Sequence, residues 1–132
     1  MTTPLYNTPQ EAVTGLIEAY RTFDIDQIVA NKDFDIDSRL FWQDLGLPTS
    51  DQQLAESRHA FESNFRKQMQ EGIPDYTAVS FRFVEHEQVQ ENFALVSVVG
   101  TMTNRQTIKL RLAVFWADNS WRVVLHPGYD HL

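Results

Sequence analysis

The apolar residues of this chain change their spacing once, near Tyr76, and that change limits the folds open to it. Before Tyr76 they recur every three to four residues, the period of helices with one buried side. After it they alternate with polar residues, the period of strands whose two faces meet different surroundings. Helices followed by strands, without interleaving, predict an α+β domain and not a βαβ repeat. With 132 residues, a domain of this kind buries roughly two thirds of the surface its unfolded chain exposes, so the whole of 1–132 is read as one domain.

Local signals set the elements. Thr8-Pro9-Gln10-Glu11 joins a capping box to a proline suited to the first helical position, and opens a helix over about 9–22. Short helical stretches follow near 26–31 and 36–45, the second stopped by Gly46 and Pro48. Ser50-Asp51-Gln52-Gln53 is a second capping box and starts the longest helix, which runs to about Glu71 before Gly72 and Pro74. Its apolar stripe is Leu54, Phe61, Phe65 and Met69, and at 100° per residue Arg58 falls inside that arc. A guanidinium in a core-facing stripe needs a partner, either an acid of the protein or an anionic ligand.

Beyond Tyr76, strands are expected around Val79–Phe83, Phe93–Thr103, Ile108–Trp116 and Trp121–Leu125, joined by polar turns into a four-stranded antiparallel meander. One face should take the helices. The other is read as carrying Arg82, Lys109, Arg111 and Arg122 beside Val96, Val98, Phe115 and Val124, a mixture suited to a homodimer through the sheet.

Charge is uneven. All of the net −7 lies in residues 1–75, and Asp24 to Asp51 holds seven Asp against Lys32 and Arg39. Such a segment repels nucleic acid and draws basic partners, so Asp33, Asp35, Asp37 and Asp44 are the expected contacts for a basic protein partner. The absence of Cys removes disulfides and thiol nucleophiles. Residues 1–20 lack Lys and Arg, and no run of about 18 apolar residues occurs, so neither a leader nor a membrane span is expected and the protein is read as cytoplasmic.

The order of elements, the Gly72-Ile73-Pro74-Asp75-Tyr76 elbow and the closing stretch Phe115-Trp116-Ala117-Asp118-Asn119-Ser120-Trp121-Arg122-Val123-Val124 resemble the nuclear transport factor 2-like superfamily over nearly the whole chain. The resemblance implies a curved sheet wrapped around a helix as a cone, with a pocket, and dimers through the sheet. The acidic Asp33-Phe34-Asp35-Ile36-Asp37 stretch is similar to the superfamily's bacterial immunity-protein branch. A fold of this kind does not fix a function.

No Gly-rich phosphate loop, Gly-x-Ser-x-Gly elbow or His-Glu-x-x-His helix occurs, so no catalytic residue, metal or cofactor is assigned. Asp75 and Tyr76 at the strand entry, with His126, are the few candidates for acid/base chemistry, and are read instead as forming turns or surface hydrogen bonds. His126 is placed by alternation on the face away from the helices, and the tail His126-Pro127-Gly128-Tyr129-Asp130-His131 is expected to be loose. Tyr20, Trp42, Phe61 and Trp116, with Arg58, are the candidates to line a pocket if the aromatic rings do not simply fill the cone. The resulting reading is a non-enzymatic binding protein, an immunity protein that neutralises a basic toxin. The alternative is a pocket enzyme or carrier of the isomerase, cyclase or dehydratase type.

Overall fold

The computed structural model describes residues 4–126 and 128–132. Four helices, α1 (Pro9–Arg21), α2 (Ile25–Ala30), α3 (Phe34–Leu45) and α4 (Asp51–Glu71), precede four strands, β1 (Ser80–Gln90), β2 (Phe93–Thr101), β3 (Thr107–Ala117) and β4 (Ser120–Val123). The strands form one antiparallel sheet in the order β1-β2-β3-β4, the expected α+β meander.

The helix starts follow their sequence signals. Thr8 caps α1 by accepting from the Glu11 amide, and Ser50 and Gln53 complete a reciprocal capping box on α4. Asp24 and Asp33 cap α2 and α3 in the same way, so two acids of the charged segment are engaged by their own helices. Asp118 and Asn119 both adopt positive φ, +52° and +65°, the backbone of a tight two-residue hairpin between β3 and β4.

Strand register decides which side chains meet the helices. Val96 pairs with Leu112 and Val98 with Leu110, and all four lie on the side that packs against α1, in one core with Leu16, Tyr20, Phe65 and Val123. Val96 and Val98 therefore belong to the inner face, contrary to the sequence expectation. The outer file of β2 is Phe93, Leu95 and Ser97. Strand β1 continues to Gln90, beyond the predicted end, because a bulge between Phe83 and Glu85 resets the alternation. That shift turns His86 toward α1, where its Nδ1 lies 2.8 Å from Gln10 Nε2.

The outer face is partly covered by the protein itself. Glu87 on β1 and Arg111 on β3 form an ion pair of 2.8 Å across the intervening β2, and Tyr129 packs on Phe93. The segment after His126 is not loose as expected. The Asp130 amide donates to Arg111 O, the Arg111 amide donates to Asp130 Oδ2, and Leu132 is buried in the main core. Pro127 lies outside the described residues.

The free edge of β4 is closed from two directions. Trp121 N donates to Tyr6 O, and Lys32 forms a bridge with Val123. Such cover removes an unpaired edge that would invite association. Among the described residues, no helix is long and apolar enough to cross a membrane.

Candidate functional site

Helix α4 meets α3 and α2 and leaves a gap between itself, α3 and the chain that follows β4. The gap is a cavity of about 550 Å³. Helix α3 supplies Asp37, Leu40, Phe41, Asp44 and Leu45; α4 supplies Phe61, Asn64, Phe65 and Gln68; Leu125 and His126 close the third side. The walls are mostly apolar, with a few polar groups converging on them, the usual make-up of a small-molecule site. The rings of Phe41 and Phe61 meet edge to face at 5.6 Å on one wall.

Asp37 is the chemical centre of the cavity. It is only 9% exposed. Its Oδ1 accepts from the Leu125 amide at 2.8 Å, and its Oδ2 is buried without a hydrogen-bond partner. Burial raises its pKa to about 7, against the opposing pull of the Leu125 amide and of the Lys32 charge. A carboxyl so placed exchanges its proton near neutrality and keeps one oxygen for an incoming donor.

The second polar group is His126. Its Nδ1 accepts from the Gly128 amide at 3.1 Å, which in the neutral ring leaves the proton on Nε2. The sequence expectation turned this residue away from the helices. Strand β4 stops at Val123, alternation ends with it, and the chain turns His126 into the cavity wall.

Behind Phe65 lies a buried cation. Lys32 is in the core, its Nζ donating to Leu132 O at 2.7 Å and sitting 5.0 Å from the Phe65 ring centre. Burial lowers its pKa to about 8, against the opposing influence of the Asp37 carboxylate. Among the described residues no Asp or Glu lies within ion-pair distance of Lys32, so it and Asp37 influence each other through the protein and not by contact.

The predicted site residues are dispersed. Asp37 is inside the cavity and not on an acidic surface, because it falls between Leu40 and Phe41 on the helical wheel of α3 and turns inward with them. Asp33 caps α3, Asp35 pairs with Arg39 at 2.9 Å, and exposed Asp44 stands at the cavity rim. Arg58 is not in a core-facing position. Its side chain is 53% exposed and lies 3.9 Å from Glu62, and the buried residues of α4 are Phe65 and Met69, further along the helix. It borders a separate polar cleft with Asp35, Glu62 and Arg122.

Tyr20 fills the core, edge to face with Tyr76 at 5.2 Å. Trp42 donates to Ser57 Oγ at 2.7 Å, pinning α3 to α4. Trp116 meets Trp121 edge to face at the far end of the sheet, away from the cavity. Of the proposed pocket residues only Phe61 lines this space. Asp75 is exposed and accepts from the Thr77 amide and hydroxyl, which hold its carboxyl below the usual range. The signal that could have singled out Asp37 was present: it is three residues after Phe34 and four before Phe41, an acid inside an apolar arc.

No protein-family model matches the chain, and no curated protein matches it. A crystal structure described as an NTF2-like transpeptidase from Campylobacter jejuni is similar in fold, with a TM-score of 0.57 over 90% of this chain and 99% of that one, at 13% sequence identity.

Proposed function

We propose that this chain, which has the nuclear transport factor 2-like fold, is a small-molecule pocket protein that holds a compact, largely apolar ligand between α3, α4 and the chain after β4. The observation that carries the reading is Asp37, whose buried Oδ2 is an acceptor without a partner, in the wall of an apolar space large enough for a ligand. Any turnover of the ligand would run through the proton of this carboxyl, with His126 as the second polar group. That is the pocket alternative of the sequence reading, in which proton transfer serves an isomerase or dehydratase.

The test is a neutral fluorescent probe, N-phenyl-1-naphthylamine, titrated into the wild type and Leu40→Trp. The larger ring should narrow the cavity, weaken probe binding and leave the unfolding temperature near that of the wild type. Undiminished binding to Leu40→Trp would place the site elsewhere.

The partner-binding reading also has an observation in its favour. Phe41 and Leu45 are 45% and 51% exposed, and Leu47 follows them, beside Asp44. An exposed apolar strip with acids near it suits a protein partner with basic and apolar groups, as an immunity protein facing a toxin would require. Asp33, Asp35 and Asp44 changed together to Asn should weaken retention on immobilised polylysine more than Glu85, Glu87 and Glu91 changed to Gln, an equal loss of charge on the sheet. Equal losses would remove the acidic segment as the contact. Self-association through the sheet would use the part of the outer face around Arg82 and Lys109 that the C-terminal segment leaves open.

A further inference from the structure

The cavity walls are electrically one-sided. Asp37 and Asp44 line it, and among the described residues no Lys or Arg does. The rings of Phe41, Phe61 and Phe65 supply the remaining character, and aromatic faces attract cations. Among the described residues that line it, Asp37 alone has a buried side-chain oxygen without a partner, so what its carboxyl lacks is a donor, and an ion pair there would satisfy both its charge and its lone pairs.

We infer that the ligand is an organic amine, a protonated nitrogen on an apolar body, with the nitrogen at the Asp37 carboxyl and the body among the three phenylalanine rings. This inference rests on the cavity being a small-molecule site and adds the class of molecule it takes. An anionic ligand would meet two carboxylates with no lining Lys or Arg to offset them. A neutral alcohol could donate to Asp37, but would gain nothing from its charge or from the rings. Lys32 does not reverse the preference, since its Nζ is held on Leu132 O behind Phe65 and outside the cavity lining.

The groups that act on Asp37 are Lys32, which favours its ionised form, and Asp33, which opposes it, with His126 in the same wall. Below neutrality the carboxyl holds a proton, and an arriving ammonium displaces it. Amine binding should therefore release a proton and tighten as pH rises through about 7.

The experiment compares three probes of one shape, 3-phenylpropylamine, 3-phenylpropan-1-ol and 3-phenylpropionate, by isothermal titration calorimetry against the wild type and Asp37→Asn. The amine should bind roughly tenfold or more tightly than the alcohol, and the carboxylate most weakly. Asp37→Asn keeps an acceptor for the Leu125 amide, and should bring the amine down to the level of the alcohol. Below neutrality, two buffers of different ionisation enthalpy should show proton release from the wild type and none from the variant. An alcohol that binds as well as the amine, or an amine preference untouched in Asp37→Asn, overturns the amine inference and leaves the pocket standing. If none of the three binds and N-phenyl-1-naphthylamine does not bind either, both readings fall.

Discussion

Asp37 Oδ1 accepts the main-chain amide of Leu125 at 2.8 Å, and this bond ties the middle of α3 to the chain just past the last strand. The bond fixes one carboxylate oxygen and leaves the other buried without a partner. Its consequences are measurable in stability as well as in binding.

A carboxyl whose pKa is about 7 when folded and about 3.9 when unfolded makes stability fall as pH rises. Between those values the folded state binds more protons than the unfolded one, so raising the pH favours unfolding until the folded group has ionised. Asp37→Asn should remove this slope and be more stable than the wild type above pH 7 by roughly 2 to 4 kcal/mol, with the difference vanishing in acid. Urea unfolding across a pH series reads it, and parallel slopes in the two proteins would contradict the assignment.

Lys32 works in the opposite sense at higher pH. Its folded pKa of about 8 lies below an unfolded value of about 10.4, so between them the unfolded state binds more protons and stability rises with pH. Lys32→Met should lose that rise. It should also move the Asp37 midpoint upward, because a charge favouring the carboxylate is gone. Carbon-13 NMR titration of the Asp37 carboxyl reports the midpoint directly, and an unmoved midpoint would separate the two groups.

Gly15 lies inside α1 under the phenol ring of Tyr6, close enough that an added Cβ would collide with the ring and its hydroxyl. The same hydroxyl donates to Asn31 Oδ1, linking the N-terminal segment to the end of α2. Gly15→Ala should therefore destabilise by about 1 to 3 kcal/mol, although alanine favours a helix by about 1 kcal/mol. In a Tyr6→Ala background the sign should reverse, and thermal unfolding of the four proteins of the cycle reads the coupling.

What the sequence made legible was decided by local signals. Both capping boxes, the Asp118-Asn119 turn and the change of period at Tyr76 act within a few residues, and each element they predict is present. Arg58 was misplaced because a helical wheel assumes that one face is covered along its whole length, whereas the buried residues of α4, Phe65 and Met69, lie in its second half. His126 was misplaced by extending alternation past Val123, where the strand stops. Val96 and Val98 were put on the wrong face because an apolar run buried on both sides, such as β2, carries no alternation to read. The burial of Lys32 depends on Phe65 and Leu132, far away along the chain, and no neighbour in sequence announces it.

The span of the Asp37–Leu125 bond bears on the order of assembly. Its partners stand 88 residues apart, so two walls of the cavity are synthesised long before the third. Contacts of such long range are slow to close, since most of the chain must be arranged before they can form. Until then Phe41, Phe61 and Phe65 have no third wall beside them, and a nascent chain stalled before Leu125 would offer those rings to chaperones.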